Sequence, residues 1–258
     1  MSEDARIEKL EAFSAKNKFG ISQDATMQML DGSSLYRLAW RKRMYRNFIT
    51  TDDWQYAEVG FKARGTSGLA RMRKQEIWYA TMSIKLPRKL PNVIFDSTEH
   101  QKKQFRIVFD NKQLISLEGN FNKYFATYFG FGYTIDDLSF ITPEVMLALI
   151  EASKYDIEII HNRLLLFGAL SSDPAAQITD MAAKLSVIND KLLHNILTYR
   201  DERVPYDKGR LVVARSGMFL TYKPYSFRGW LIVFVVGFFF VAMVLFALML
   251  LVASVEPS

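Results

Sequence analysis

Hydrophobic side chains recur at helical spacing over one long stretch of the chain, between Asp173 and Glu202. Six apolar residues there stand three or four positions apart: Ile178, Met181, Leu185, Ile188, Leu192 and Ile196. That period is typical of an amphipathic helix with one buried face. Asp173 is a favourable N-cap and Pro174 fits the first helical position, so the helix is predicted to begin there. We expect the stripe to pack on a sheet; the alternative is a coiled-coil seam with a partner.

Two shorter helices are predicted from the same signals. The first places its apolar face at Ile7, Leu10 and Phe13. Gly20 is expected to end it. The second begins at Thr142, a plausible N-cap, with Pro143 in the first helical position. Its apolar face continues through Val145, Leu149 and Ala152.

A period of two residues replaces the helical period elsewhere and predicts strands. In "QEIWYATMSIKLP" one face holds Ile77, Tyr79 and Thr81, and the other holds Trp78, Ala80 and Met82. Pro87 and Pro91 are expected to end this strand. Strand–turn–strand patterns are also predicted about Thr51–Asp53, Asp110–Asn111 and His161–Arg163.

The order of these elements excludes strict alternation of strands and helices, so a doubly wound parallel sheet is not favoured. The sequence predicts an α+β fold, a largely antiparallel sheet with packed helices, followed by a single C-terminal transmembrane helix. The corresponding divisions are a cytoplasmic α+β domain over residues 1–203, a basic juxtamembrane linker over 204–229 and a transmembrane helix over 230–255.

The transmembrane prediction rests on a run without a charged residue from Trp230 to Val255. As a helix the run would be about 39 Å long at about 1.5 Å per residue, enough for a hydrocarbon core of about 30 Å. Aromatic residues at its start suit the headgroup layer. The expected membrane anchor includes Trp230, Phe238, Phe239, Phe240 and Leu250. The alternatives are a buried helix of a soluble protein and a cleaved C-terminal sorting signal.

Basic residues before the run predict its orientation. Six of them, opposed only by Asp207, are Arg203, Lys208, Arg210, Arg215, Lys223 and Arg228. By the positive-inside rule the long N-terminal part is cytoplasmic and the short C-terminus lies outside. The expected localisation is therefore the cell membrane, with a single pass.

Four short motifs resemble, in order, an uncharacterised family of bacterial membrane-associated proteins, a domain of unknown function found in actinobacteria and small-genome bacteria. The resemblance covers roughly residues 12–203 and is strongest over 86–167. It is carried by Leu90 and Pro91; by Leu117, Glu118, Gly119, Phe121, Lys123, Tyr124 and Phe125; by Thr142, Pro143, Glu144, Met146 and Leu149; and by Asn162, Arg163 and Leu164. Asn120 stands where an acid is more usual. The resemblance implies membrane association and no particular activity, cofactor or catalytic residue.

Candidate catalytic chemistry is sparse in the sequence. There is no cysteine, which excludes thiolate metal sites and a cysteine nucleophile. His100, His161 and His194 lack a ligand partner at metal spacing. The adjacent acids Asp52–Asp53 and Asp136–Asp137 suit turns and helix caps better than acid–base catalysis. We therefore find no catalytic motif, expect no cofactor or metal, and favour a non-enzymatic role.

Basic clusters are the most distinctive exposed feature, and the formal net charge is +6. A protein held at the inner leaflet meets anionic lipid first, at about 1 kcal/mol per well-placed basic residue. The alternatives are nucleic-acid binding and a solvated edge that discourages aggregation. The candidate residues for an anionic surface are Arg41, Lys42, Arg43, Arg46, Arg71, Arg73, Lys74, Lys208, Arg210, Arg215, Lys223 and Arg228.

The sequence as a whole predicts a tail-anchored membrane protein that acts as a scaffold or adaptor, docking through its sheet or its long helix. The second hypothesis is a membrane-associated enzyme or ligand sensor with a pocket at Tyr124, Tyr128 and Tyr133. A third is a nucleic-acid tether that uses the basic patches. The expected partners are the lipid bilayer, with anionic lipid a candidate, and other proteins at the membrane; nucleic acid is the less favoured partner.

Overall fold

The computed structural model describes residues 3–22, 33, 43–64, 74–99, 109–203 and 212–213. Contacts divide the chain into two compact units, residues 1–220 and 221–258, and all of the described residues belong to the first. For Glu3 and Arg43 and for residues 61–64 and 74–77 the backbone alone is described.

Three α-helices and seven β-strands make up the described part of the first unit. The helices are α1 (Glu3–Asn17), α2 (Pro143–Glu151) and α3 (Pro174–Thr198). The strands are β1 (Ile21–Ser22), β2 (Arg43–Thr50), β3 (Gln55–Arg64), β4 (Lys74–Ser97), β5 (Leu114–Ile115), β6 (Phe125–Phe129) and β7 (Asp156–Ala169). Short 3₁₀ helices occupy Asn111–Gln113, Phe121–Lys123 and Ile135–Leu138.

The strands form one sheet, and every described pairing in it is antiparallel. Its order is β1-β2-β3-β4-β6-β5, with β7 paired to the other edge of β4. The long strand β4 is central because its first half pairs with β3 and its last residues with β6, while β7 runs along both halves. The predicted α+β fold with a largely antiparallel sheet is confirmed.

A double irregularity in the middle of β4 and β7 reverses which side chains face the helices. Before it, core positions of β4 have even numbers, such as Met82 and Ile84; after it they have odd numbers, such as Val93 and Phe95. The register shifts twice between Lys85 and Val93, opposite β7, where His161 has a φ of 52°. Core positions of β7 change between odd and even numbers at the same place, so the two paired strands exchange faces together. The bulge therefore lets one long strand serve two parts of the core.

Two of the sequence predictions are wrong at this bulge. Pro87 and Pro91 do not end β4, because they lie where the pairing with β7 is already interrupted and no backbone donor is needed. The pattern about His161–Arg163 does not form a hairpin: β7 continues through it as a single strand. By contrast, the hairpin about Thr51–Asp53 is confirmed, because Thr51 and Trp54 close a turn between β2 and β3.

The helix α3 covers the sheet as the sequence predicted. All six residues of its apolar stripe are fully buried, in one core with β4, β7, α1 and α2. The Asp173 carboxylate accepts a hydrogen bond from the backbone N–H of Ala176, which confirms the predicted N-cap. Since the stripe is occupied by the body of the protein itself, the coiled-coil alternative is wrong.

Aromatic rings fill the core beneath the family-like motif "LEGNFNKYF". Phe121 and Phe125 are buried and pack edge-on against Phe95 of β4. Gly119 has a φ of 67°, a conformation that favours glycine, and so allows the turn before the 3₁₀ helix. The apolar residues of the motif are therefore part of the hydrophobic core, whereas its polar residues are exposed.

Among the described residues no helix is long and apolar enough to span a membrane. The run from Trp230 to Val255, for which a transmembrane helix is predicted, lies outside the described residues. That element stays a prediction from the sequence.

Candidate functional site

The chain that leaves α3 is fixed first at Arg203. Its Nη2 bonds the Asp137 carboxylate, and its Nε donates to Oδ1 of Asp201 at 2.8 Å. A third nitrogen, Nη1, donates to the carbonyl of Gly132 at 2.8 Å, and the guanidinium lies 4.1 Å from the ring centre of Tyr133. One arginine thus joins the end of α3 to the segment 132–137 that precedes α2.

The electrostatics of this group follow from burial and from the arginine charge. The hydrogen bond from Arg203 holds the pKa of Asp137 below its usual value. Burial acts to raise the pKa of Asp201, but hydrogen bonds from Arg203 outweigh it and the pKa is lowered. Burial, together with the nearby Asp201 carboxylate, raises the pKa of the Tyr199 hydroxyl. All three groups therefore keep their ordinary charge states at neutral pH.

A cavity of about 340 Å³ opens beside this group. It is lined mainly by polar side chains: Asp136, Asp137, Ser139, Asn195, Thr198, Tyr199, Arg200 and Arg203. The Asp137 carboxylate also closes the 3₁₀ helix by accepting from the backbone N–H and the hydroxyl of Thr134. The capping role expected of the Asp136–Asp137 pair is thus confirmed for Asp137. The same carboxylate also forms the ion pair with Arg203.

The chain is fixed a second time at Val212 and Val213, within the segment predicted as a juxtamembrane linker. The backbone N–H of Val213 donates to Oδ1 of Asn92 at 2.9 Å. The backbone carbonyl of Val212 accepts from Nε2 of Gln113 at 3.0 Å. We call Asn92 and Gln113 the clamp, and Val212–Val213 the valine pair.

The side chain of Val213 is buried in a small apolar cluster of its own. The cluster comprises Val213, Ile94, Phe109 and Tyr128, with the two rings 4.9 Å apart between centres. It is separate from the main core, to which α3 belongs. The valine pair is thus held by two backbone hydrogen bonds and one buried side chain.

The clamp residue Asn92 is itself rigidly placed. It lies in β4 directly after Pro91, at the bulge, and is fully buried. Its Nδ2 donates to Oε1 of Glu158 at 3.1 Å and to the carbonyl of Ile159 at 3.0 Å. These two bonds leave Oδ1 directed at the valine pair, so the bulge and the neighbouring strand β7 together orient the clamp.

A second cavity, of about 480 Å³, lies between β7 and the start of α3. The hydroxyl of Tyr155 donates to the Asp180 carboxylate at 2.7 Å, and Nζ of Lys154 lies 2.9 Å from the same oxygen. The strand passes close beneath: a side chain at Gly168 would meet the Tyr155 ring at 2.8 Å. The polar groups here are paired with one another and connect β7 to the helix.

The predicted anionic-surface residue Arg46 is partly buried and bonds groups of the protein itself. Its Nε donates to the fully buried Glu58 carboxylate at 2.8 Å, and its guanidinium lies 3.9 Å from the Trp78 ring centre. Arg6 of α1 bonds the same carboxylate. Gly60 leaves room for the Trp78 ring, which a side chain would meet at 2.8 Å. Arg46 thus joins β2 to β3 through Glu58, and Arg6 joins α1 to the same carboxylate, while the assignment of Arg46 to an anionic surface stays a prediction.

Two other predicted basic residues lie at one end of the sheet. Arg43 pairs with Phe61, and Lys74 pairs with Arg64, so the start of β2, the end of β3 and the start of β4 meet there. The sheet thus brings one residue of each of two basic clusters, Arg43 and Lys74, to the same end. The remaining candidates, Arg41, Lys42, Arg71, Arg73, Lys208, Arg210, Arg215, Lys223 and Arg228, lie outside the described residues, as do the anchor residues Trp230, Phe238, Phe239, Phe240 and Leu250.

The three tyrosines of the ligand-sensor hypothesis occupy different surroundings. Tyr128 belongs to the small cluster with Val213, Tyr133 lies beneath Arg203, and Tyr124 packs against the main core. The two cavities described above are lined by other residues. Within the described ranges, no cluster of three or more histidine or acidic residues could hold a metal ion.

Comparison with known proteins adds little to this picture. No protein-family model matches the chain, and no curated protein matches it. Among solved structures, the crystal structure of the mycobacterial trehalose monomycolate transport factor A, TtfA, aligns with a TM-score of 0.49 and 9% sequence identity, over 74% of this chain and 96% of that chain. An alignment at this level says nothing about activity or partners.

Proposed function

We propose that this chain is a membrane-anchored scaffold or adaptor, held at the cytoplasmic face by a transmembrane helix over residues 230–255. The observation that carries the proposal is the docking of the valine pair on the sheet. About 17 residues separate Val213 from Trp230, which span at most about 60 Å at roughly 3.5 Å per residue. A body fixed at Val213 therefore stays near the bilayer if residues 230–255 cross it.

The arrangement of charged groups supports a scaffold over an enzyme. The carboxylates of Asp137 and Asp180 each bond a basic or hydroxyl group of another segment, and the Asp201 carboxylate bonds Arg203 two residues along the chain. Such bonds join α3 to the segments around it. A general acid or base would instead be expected within reach of a bound substrate with a pKa near neutrality. Paired groups of this kind suit a rigid body that presents surfaces to partners.

The membrane part of the proposal is tested by flotation of the full-length chain with liposomes of neutral lipid. Two arginines in the middle of the run, Phe240→Arg and Val244→Arg, should prevent insertion, because each costs about 2.5–3.5 kcal/mol at the centre of a membrane helix. The matched control carries Phe240→Leu and Val244→Leu and should float like the wild type. Flotation of the double-arginine variant would overturn the proposed anchor.

The cytoplasmic orientation is tested separately by protease access. In inverted membrane vesicles added protease should digest the α+β body, whereas intact spheroplasts should protect it. Protection in inverted vesicles and digestion in spheroplasts would reverse the orientation. A partner is then sought by site-specific crosslinking from the membrane-bound chain.

We propose that anionic lipid binds at the basic end of the sheet, where Arg43 and Lys74 lie. Liposomes with anionic lipid should bind the double-arginine variant more strongly than neutral liposomes, and salt should weaken that binding. Equal binding to both would remove lipid as a partner. A salt-sensitive gel shift with nucleic acid would favour the tether hypothesis instead.

A further inference from the structure

We infer that the outer face of α2 and α3 is a self-complementary surface on which a second copy of this chain docks. The apolar sides of both helices are buried in the core, and the outer face lies opposite them. The inference goes beyond the proposed function, because it concerns self-association and does not depend on the membrane anchor. It rests on four residue pairs that face each other across the two helices and that we call the rungs. They are Glu144–Lys191, Leu147–Val187, Glu151–Lys184 and Lys154–Asp180.

The two helices run in opposite directions, and this sets the order of the rungs. Near the end of α3, Nδ2 of Asn195 lies 3.4 Å from Oγ1 of Thr142, the N-cap of α2. Further back along α3, Nζ of Lys184 lies 3.6 Å from the carboxylate of Glu151, the last residue of α2. Residues that increase in number along α2 therefore face residues that decrease in number along α3.

Electrostatic contacts show two further rungs. In the turn after α2, Nζ of Lys154 lies 2.9 Å from the Asp180 carboxylate on α3. Hydrogen bonds from its own backbone N–H and from Thr142 lower the pKa of Glu144, and the nearby charge of Lys191 acts in the same direction. Opposite charges thus face each other on three of the four rungs.

The remaining rung is apolar and exposed. Leu147 stands three residues after one acid of its row and four before the next, and Val187 has the same spacing from its two lysines. Helical spacing therefore places each on the same face as its charged neighbours. Leu147 is 63% exposed and Val187 is 41% exposed. The surface has an apolar centre, with acids on its α2 side and lysines on its α3 side.

This arrangement is complementary to itself under a two-fold axis that runs along the helices. Such an axis places α2 of one copy over α3 of the other and keeps each rung at its own level. The acids of one copy then meet the lysines of the other, and the two apolar rungs cover one another. An axis across the helices would instead place Glu144 of one copy against Glu151 of the other, with like charges in contact. The charges therefore favour the first geometry.

The contact is small, so the dimer is expected to be weak. The helix α2 has 9 residues and is about 14 Å long at about 1.5 Å per residue. The two helices together present less area than the roughly 800 Å² per partner that a standard interface buries. Because charges supply three of the four rungs, added salt should weaken the dimer further.

The first test is analytical ultracentrifugation of the full-length chain in detergent, at concentrations up to about 100 μM. Leu147→Ser removes the apolar centre from both copies and should weaken dimerisation at least about tenfold. The matched control Leu197→Ser changes a half-exposed leucine of α3 that lies outside the rungs, and should dimerise like the wild type. A monomer over the whole range, or equal effects of the two substitutions, would overturn the proposed dimer.

The second test separates contacts between copies from contacts within one copy. The variant exchanges the charges of two rungs and carries Glu144→Lys, Glu151→Lys, Lys184→Glu and Lys191→Glu. Every rung stays paired within its own chain, and two copies of the variant are complementary to each other. A copy of the variant placed on a wild-type copy instead meets like charges.

Wild type and variant carry different affinity tags and are mixed in detergent, and circular dichroism shows that each is folded. Each should pair with its own kind, and mixed dimers should fall at least about tenfold below their statistical share. Free mixing would show that the rungs only tie α2 to α3 and would overturn the dimer. If the exchanged variant does not fold, Leu147→Ser decides. Loss of flotation would refute the membrane anchor and leave these results standing.

Discussion

Two regions of the body are held together in contrasting ways. The helix α3 is joined to the sheet by a continuous apolar stripe that is fully buried. In the part of the following connection that the structure describes, residues 199–203 and 212–213, the chain is held by an ion-pair group and by the clamp. Burial of apolar area is non-directional and sums over many contacts, whereas each polar bond depends on one pair of atoms. The core should therefore tolerate losses that would free the connection.

The largest effect is expected from a cavity in the stripe. Leu192→Ala should lower the free energy of unfolding by about 2–5 kcal/mol, because Leu192 is fully buried and the space it leaves cannot collapse completely. Denaturant unfolding of the full-length chain in detergent measures the change. Leu197→Ala, on the same helix but half exposed, is the matched control and should change it by less than about 0.5 kcal/mol. Similar losses of unfolding free energy in Leu192→Ala and Leu197→Ala would contradict the conclusion that the buried stripe holds α3 to the sheet.

A smaller effect is expected from the ion-pair group. Arg203→Ala removes bonds to Asp137 and Asp201 but acts at a side chain that is about one-third exposed, so the loss should be about 1 kcal/mol or less. Trypsin cleavage after Lys208 should nevertheless become faster, because the connection loses its first attachment. Arg200→Ala provides the control, since Arg200 is exposed and bonds only carbonyls of its own helix end. If Arg203→Ala lowered the free energy of unfolding as much as Leu192→Ala does, Arg203 would contribute to stability like a residue of the core, which would contradict this prediction.

The smallest effect is a dependence of stability on pH. Arg203 lowers the pKa of Asp137 in the folded protein, so the folded state favours the ionised carboxylate. This contribution is fully present above the unfolded pKa of about 4 and is lost as the pH falls through the folded value. Between pH 5 and pH 2, wild-type stability should therefore fall more steeply than that of Arg203→Ala, by a few tenths of a kcal/mol. If the unfolding free energies of the wild type and Arg203→Ala, measured in urea, changed in parallel with pH, the ion pair between Arg203 and Asp137 would not contribute to the pH dependence.

The elements best predicted from sequence are those whose signals are local. The spacing of Ile178 to Ile196 and the cap at Asp173 are properties of one continuous segment, and the structure confirms both. The hairpin between β2 and β3 is local in the same sense. The wrong predictions, at Pro87, Pro91 and His161–Arg163, all fall on the bulge. A proline or a turn-forming residue has the same local preference at the end of a strand and at a bulge, so the sequence does not distinguish them.

The candidate sites could be predicted from the sequence less well than the helices and strands. Arg46 belongs to a basic cluster in sequence, but Glu58 and Trp78 of neighbouring strands bind its charge in the fold. The two hydrogen bonds of the clamp join residues 121 and 99 positions apart in the sequence. The local signal nearest to the clamp is the leucine-proline pair before Asn92, and this pair does not indicate a partner.

The sequence by itself determined the periodic helices, the α+β class and the uncharged run for which an anchor is predicted, because each follows from residues close together in the chain. Only the tertiary structure decided which charges are paired and where the chain after α3 is held. Those outcomes depend on strands β4 and β7 exchanging faces at one bulge, which directs Asn92 at Val213. Such a contact is set by packing between distant segments, and no local pattern encodes its geometry.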